Sequence, residues 1–256
     1  MSGAPTVFVE DFNKIIDECT NFACITRDGG LQRQAISRLD ELLSEIAAEK
    51  STAISANNED YANLLLGCEC VARGIAAEIK MWLLLKEGRP DAAWDQLVTA
   101  QTNIADAPRA HKGFSHLTDH VERLNAIEQL VFPPQVYLST GFIVQKQICS
   151  PCENDYEDCG HIKGHPYMGK FCTVRLIPSA VDHVAFVENP ANKRCRVLTF
   201  SAEGGYRNRM TWLVEPRTNP KEEANPDFKA ECIVACTLPT TEGSPSNDSL
   251  AISEPI

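Results

Sequence analysis

The feature that most constrains this fold is a run of cysteine and histidine residues between positions 149 and 161. Two residues separate Cys149 from Cys152, and Cys159 and His161 follow after a polar segment of six residues. Thiolate sulfur and imidazole nitrogen at this loop spacing are the donors that a tetrahedral zinc ion takes in structural sites. The sequence therefore predicts a structural zinc site made by these four residues, with no open position for a catalytic water.

Two further residues bear on the ligand set. Cys172 and His165 lie close enough in the chain to replace one of the four ligands. The competing interpretation is a group of ordinary cysteines or a disulfide pair. The acidic segment between Cys152 and Cys159 shows no apolar periodicity, so it gives these thiols no core in which to be buried. A zinc ion is the favoured interpretation.

The cysteine count also bears on the compartment. The chain has 11 cysteines in 256 residues, whereas a disulfide scaffold is expected to be short, exported and even in its count. The N-terminal Met-Ser-Gly-Ala-Pro has neither the basic nor the apolar region of a secretory signal. We expect a cytoplasmic protein without a membrane segment.

The first half of the chain shows the periodicity of helices. Apolar residues recur at steps of three and four, which predicts five amphipathic helices. Asn57 and Asn58 are placed to cap the third helix and Gly88 to end it. Pro90 begins the fourth, so the third and fourth helices form an antiparallel hairpin. Ser115 is expected to cap the fifth helix, and Pro133 with Pro134 ends it. The apolar stripes run through residues 8–22, 35–46, 61–82, 93–104 and 117–131.

Beyond the two prolines the pattern changes to that of β-strands. Short segments rich in β-branched and aromatic residues are separated by proline, asparagine or glycine turns. We therefore predict an α+β protein, with an N-terminal antiparallel helical bundle at residues 1–132 and a small zinc-pinned β domain at 135–214. Residues 215–256 form a polar, largely irregular tail. The predicted strands are 136–144, 171–177, 181–187, 195–200 and 210–214.

The charge of the chain is unevenly distributed. A net charge of −11 disfavours nucleic acid and acidic membrane surfaces. Basic residues nevertheless outnumber acidic ones between 161 and 217, and they include Lys193, Arg194, Arg196, Arg207 and Arg209. Because the sequence shows no aromatic interleaving there, a solvated loop edge is favoured and nucleic acid is the less favoured partner.

Two residue pairs of the helical half have a structural interpretation. Cys68 and Cys70 are one residue apart on a helix and point in different directions, so they are expected to be small buried hydrophobic residues. Trp82 and Trp94 lie six residues on either side of Gly88. We expect both rings in the core, and the alternative is that one of them stays exposed and anchors a partner.

One segment resembles a known family. Its motifs are Ser139-Thr-Gly-Phe142, Cys149-x2-Cys152 with Cys159-Gly-His161, Tyr167-x-Gly169-Lys-x-Cys172, and Asp182-His-Val-Ala-Phe-Val187. Residues 136–200 are similar to a cysteine-rich segment of phage head-maturation (prohead) proteases and related tailed-phage structural proteins. The resemblance implies the zinc loop, the strands after it and an origin among phage-related genes, including bacterial systems that respond to phage.

The resemblance leaves the activity open. A protease of this kind needs a serine on a strand and a histidine base from an earlier strand. Ser139 suits the first role, but everything upstream is predicted to be helical, so no catalytic residue is carried over. We expect a non-enzymatic, zinc-stabilised interaction or structural module that acts with protein partners in a larger assembly. The alternative is a serine protease-like hydrolase with Ser139 as nucleophile and His161, His165 or His183 as base.

Overall fold

The computed structural model describes residues 4–216 and 229–234. It confirms the α+β class, with five α-helices followed by small antiparallel sheets. A 3₁₀ helix, Lys112–Leu117, precedes the last α-helix. The α-helices are α1 (Ala4–Thr20), α2 (Gly29–Ser55), α3 (Glu59–Lys86), α4 (Pro90–Ala110) and α5 (Thr118–Val131).

Helix α3 is the centre of the helical part, because it packs against both α2 and α4. Its ends are those predicted from the sequence. The side chain of Asn58 accepts a hydrogen bond from the Tyr61 N–H (3.2 Å) at the N-terminus. Gly88 follows the C-terminus with a φ of 71°, a left-handed conformation that glycine adopts without steric cost. Pro90 is the first residue of α4, so the helical hairpin is confirmed.

Glycine allows the neighbours of α3 to approach closely. A Cβ atom at Gly74 would lie 2.6 Å from the Cδ1 atom of Ile104 on α4. At Gly67 it would lie 2.1 Å from the ring of Phe114. No side chain fits at these distances, so both positions hold α3 tightly against its neighbours.

The residues singled out in the helical half are buried. Trp82 and Trp94 are 8% and 1% exposed, which confirms the core interpretation and leaves neither ring to anchor a partner. Cys68 and Cys70 are buried as well. Burial raises the pKa of each of these two thiols to about 12, so both stay protonated as small hydrophobic groups.

Two helix starts differ from the sequence-based expectation. The second apolar stripe begins at residue 35, but α2 already begins at Gly29, because the Asp28 side chain accepts from the Leu31 N–H (3.0 Å) and caps the helix. Ser115 does not cap α5, which begins at Thr118. The His111 Nδ1 atom instead accepts from the Gly113 N–H (3.1 Å) and starts the 3₁₀ helix in which Ser115 lies.

The strands in the described part of the chain form three small sheets. β1 pairs with β4, β2 with β3, and four strands are arranged in the order β7-β6-β5-β8. The first strand was expected at 136–144 but continues to Cys149, the first of the predicted zinc ligands. The strands are β1 (Tyr137–Cys149), β2 (Pro166–Tyr167), β3 (Lys170–Phe171), β4 (Val174–Val187), β5 (Val197–Ala202), β6 (Gly205–Asn208), β7 (Val214–Pro216) and β8 (Ala230–Cys232).

Two strand predictions are wrong in detail. The segments 171–177 and 181–187 were predicted as separate strands, yet β4 runs unbroken from Val174 to Val187. Residues 210–214 were predicted as one strand, but most of them form a turn. The Asn208 side chain accepts hydrogen bonds from the N–H groups of Met210 (2.7 Å) and Thr211 (3.1 Å), and such asparagine turns compete with strand pairing.

The described residues separate into two compact units. Residues up to Glu128 together with Cys149–Val174 form the first, which we call the helical unit. Residues Gln129–Ile148 and those from Arg175 onward form the second, the sheet unit. The sequence grouped 149–174 with the strands of 135–214, whereas here this segment groups with the helices. Most of the predicted tail, 215–256, lies outside the described residues.

No helix within residues 4–216 and 229–234 has both the length and the apolar character that a membrane crossing requires.

Candidate metal centre

The first pair of predicted ligands lies on a tight turn at the end of β1. Cys149 is the last residue of the strand and is fully buried. Its carbonyl accepts from the Glu153 N–H (2.8 Å), and its N–H donates to the Asn154 carbonyl (3.0 Å). Glu153 takes a left-handed φ of 56° to close this turn. The closed turn brings Cys152 back beside Cys149.

The second pair follows a short 3₁₀ helix, Tyr156–Asp158. Two tyrosine hydroxyls hold the backbone that follows this pair, because each accepts a hydrogen bond from a backbone N–H group. Tyr156 Oη accepts from Lys163, and Tyr167 Oη accepts from Ile162, both at 3.0 Å. The ring of His161 meets the ring of Tyr167 edge-on, with the centroids 4.7 Å apart. These contacts hold the imidazole in one orientation.

The structure brings all four predicted ligand residues together. The ligand atoms of Cys149, Cys152, Cys159 and His161 lie within 4.8 Å of one another. Two sulfurs on one tetrahedral zinc are expected about 3.8 Å apart, because each Zn–S bond is about 2.3 Å long. The four residues can therefore hold a metal ion with only small adjustments.

An unpaired nitrogen gives independent support for this fit. His161 Nδ1 is buried and has no hydrogen-bond partner among the described residues. A buried polar atom without a partner is costly, and coordination of a metal satisfies an imidazole nitrogen. The donor set of three thiols and one imidazole also matches the preference of zinc for sulfur and nitrogen. These four residues therefore suit a metal ion that prefers sulfur ligands, such as zinc.

The backbone is arranged to stabilise thiolates. The Asn154 N–H hydrogen-bonds the Cys152 sulfur and holds the pKa of that thiol below its ordinary value. Burial raises the pKa of Cys149 and Cys159, although each sulfur also accepts a backbone N–H, from Cys152 and His161 respectively. A metal cation removes the cost of ionising buried thiols, so metal binding and thiol deprotonation are linked.

Cys172 is a fifth donor beside the cluster. Its sulfur lies 3.9 Å from the Cys149 sulfur, and the residue is 1% exposed. Reciprocal hydrogen bonds between Ser150 and Thr173 hold the two cysteines side by side: the Ser150 N–H donates to the Thr173 carbonyl (3.0 Å), and the Thr173 N–H donates to Ser150 Oγ (2.9 Å). His165, the other possible replacement, is exposed.

We call residues 149–174 the metal loop. A β-hairpin within it anchors the loop to the helices. Strands β2 and β3 are joined by Met168 and Gly169, whose φ values of 45° and 74° correspond to a two-residue type I′ turn. The Met168 N–H donates to Glu59 Oε1 (3.3 Å), and the Gly169 N–H donates to Asn63 Oδ1 (2.9 Å). The first turns of α3 therefore hold the tip of the hairpin.

Arg109 on α4 makes a second anchor. Its guanidinium donates to the Gly164 carbonyl (3.0 Å) and lies over the Phe171 ring, 5.5 Å from the centroid. Asp106 pairs with the same guanidinium at 2.5 Å. A Cβ atom at Gly164, whose φ is 81°, would lie 2.0 Å from this guanidinium. These contacts explain why the metal loop groups with the helices.

The serine of the hydrolase alternative lacks the required contact. Ser139 lies within β1, and its hydroxyl makes no hydrogen bond to a histidine in the part of the chain that the structure describes. His183 lies beside Gly141, where an added Cβ would be 2.5 Å from its ring, and its Nδ1 is 3.0 Å from Asp182 Oδ2. His183 and Asp182 are more than half exposed.

The chain matches no family model, no curated protein and no solved structure. The resemblance to phage head-maturation proteases therefore stays a prediction.

Sequence reasoning missed the residues that anchor the loop. Glu59, Asn63 and Arg109 lie on helices at ordinary polar positions, and nothing in their spacing relates them to a segment more than 50 residues away. The glycines at 164 and 169 were the available signal, since each marks a position where the backbone takes a positive φ.

Proposed function

We propose that this chain is a zinc-stabilised structural module that acts by binding other proteins within a larger assembly. The observation that carries the proposal is the convergence of Cys149, Cys152, Cys159 and His161, whose ligand atoms lie within 4.8 Å of one another. Four protein donors complete a tetrahedral shell and leave no position for a water nucleophile. The metal then holds the loop closed and supplies no reaction.

The position of the loop supports this role. It is attached to α3 and α4 through Asn63 and Arg109, so a bound ion stabilises a surface built on a rigid helical support. A loop of this size has no apolar core of its own, and metal closure supplies free energy that burial does not.

The sheet unit supports an interaction role. Large hydrophobic side chains are exposed on β1 and β4, which pair with each other, and apolar side chains gathered on one surface suit a protein-binding site. We propose that the two-stranded sheet of β1 and β4 binds a protein partner and not a membrane. The exposed residues are Ile143 (56%), Val144 (36%), Val181 (55%), Val184 (51%) and Phe186 (64%).

The proposal is tested by elemental analysis together with mass measurement of the native protein and its complexes. We expect about one zinc per chain, because the four donors complete one shell. Cys152→Ser should lose the ion, and amide exchange should rise across residues 149–174 while α2–α4 keep their protection. Cys24→Ser is the matched control, since Cys24 is an exposed cysteine outside the cluster.

A fully folded protein that binds no metal would overturn the zinc assignment. If Cys152→Ser exposed the helices before the loop, the metal would support the whole unit and not the loop alone. A native mass equal to that of the single chain in every preparation would contradict the assembly role.

A further inference from the structure

The four-stranded sheet of the sheet unit has two chemically different faces. In its register Phe200 lies opposite Arg207, and Arg207 lies opposite Val214, so these three side chains share one face. Glu215 lies opposite Tyr206, and Glu231 lies opposite Thr199, which places both carboxylates on the other face. The first face, which we call the aromatic face, is therefore free of strand carboxylates.

Trp212 adds an exposed aromatic ring to this face. It lies in the turn between β6 and β7, is 49% exposed and has a φ of 59°. Its ring meets the Phe200 ring edge-on at 6.2 Å, and the guanidinium carbons of Arg207 and Arg209 lie 6.0 and 5.3 Å from its centroid. Folding thus places aromatic rings beside basic side chains that do not alternate with them in the sequence.

The two arginines keep their charge available. Arg207 donates to the Trp212 carbonyl (2.8 Å), and Arg209 donates to the Pro134 carbonyl (2.7 Å). Among the described residues no carboxylate forms an ion pair with either guanidinium. Carbonyl contacts orient a guanidinium without neutralising it, so two positive charges are held beside one exposed ring.

We propose that the aromatic face binds single-stranded nucleic acid, with a base stacked on Trp212 and phosphates contacted by Arg207 and Arg209. Proteins that bind single strands combine cationic side chains with aromatic rings in this way. A duplex does not fit this arrangement, because its bases are already stacked on each other. An acidic peptide would use the two charges but not the ring.

The negative charge of the whole chain does not prevent such binding. Exposed charges act over about 8 Å at physiological ionic strength, so the local arginines outweigh carboxylates elsewhere. Glu203, in the turn between β5 and β6, is the nearest carboxylate in sequence to Arg207. The same reasoning predicts binding that is strongly dependent on salt.

The test uses intrinsic fluorescence of the full chain titrated with a single-stranded oligothymidylate at low salt. Trp82 and Trp94 are buried, so quenching by a stacked base reports on Trp212. We expect saturable quenching, and Trp212→Ala should weaken binding at least about fivefold when followed by anisotropy of a labelled oligonucleotide. Trp212→Phe should retain part of the affinity. Arg38→Ala, an exposed arginine of α2 paired with Glu41, is the control and should bind normally.

The charge contribution is tested separately by salt dependence. Arg207→Gln should lower the slope of log affinity against log salt by about 0.7 with an unchanged thermal midpoint. Equal binding of duplex DNA or of polyglutamate would show a charge effect only and overturn the proposal. So would unchanged affinity in folded Trp212→Phe and Trp212→Ala, or no saturable binding at low salt.

Discussion

The helical unit and the sheet unit are stabilised in different ways. The helical unit is built around a buried helix, α3, with tryptophans and branched side chains packed on several sides. The sheet unit has sheets of two and four strands and leaves several large hydrophobic residues exposed. Small sheets bury too little apolar surface to be stable without additional packing. We therefore expect the helical unit to supply most of the stability, and the proposed binding surfaces lie in the sheet unit.

The candidate metal centre lies in the helical unit, although its first predicted ligand, Cys149, is the last residue of β1. We expect the order of this loop to depend on a bound ion and on its contacts with α3 and α4. A loop held in this way adds a defined surface to a unit that is already stable.

The largest expected effect separates the tryptophans of the two units. Trp94→Ala should lower the free energy of unfolding by about 3–5 kcal/mol, because it removes a fully buried ring from the core. Trp212→Ala should cost less than about 1 kcal/mol, since that ring is half exposed. Denaturant unfolding followed by far-ultraviolet circular dichroism measures both. If both variants lost a similar free energy of unfolding, the two tryptophans would not differ in their contribution to stability, and the contrast between a stable helical unit and the sheet unit would be wrong.

A smaller effect is expected at the attachment of the metal loop. Gly169→Ala should destabilise the hairpin by about 1–2 kcal/mol, because an L-residue is strained at a φ of 74° and its Cβ would lie 3.1 Å from the Ala62 carbonyl oxygen. Amide exchange should rise within 149–174, and a chelator should remove zinc more readily.

Gly88→Ala is the matched control for that variant. Its φ of 71° gives the same strain, but an added Cβ meets nothing within 4 Å. It should leave zinc retention unchanged. If Gly169→Ala also retained zinc normally, the hairpin would not contribute to the metal site.

The smallest effect tests electrostatics inside the helical unit. Burial opposes ionisation of Glu69, but hydrogen bonds from Lys50 and Arg73 hold the pKa of this carboxyl below its ordinary value. The stabilisation is therefore fully present above the unfolded pKa of about 4.3 and is lost as the pH falls through the folded pKa.

Glu69→Gln should accordingly cost about 1 kcal/mol at neutral pH, and its difference from wild type should shrink as the pH approaches 3. Urea titrations at several pH values measure this. Glu41→Gln, whose exposed carboxylate pairs with Arg38 at 3.1 Å, should change stability by less than about 0.5 kcal/mol. A constant difference for Glu69→Gln across the pH range would show that the pair does not act through charge.

Local patterns predicted the elements whose causes are local. The Asn58 cap, the left-handed Gly88 and the Pro90 start follow from single-residue conformational preferences, and all three were found. The start of α5 was missed because the 3₁₀ helix depends on a side chain of His111 that no periodicity reports. The residues 210–214 were predicted as a strand because their hydrophobicity hid the asparagine turn.

The α+β class, the helical hairpin and the four residues that converge at the candidate metal centre could be predicted from the sequence, because periodicity and ligand spacing are properties of neighbouring residues. Only the tertiary structure decided that residues 149–174 join the helices, since Asn63 and Arg109 reach them from far along the chain. It also decided that Phe200, Arg207 and Trp212 share one face, because the register of pairing strands depends on contacts between segments and not on either segment alone.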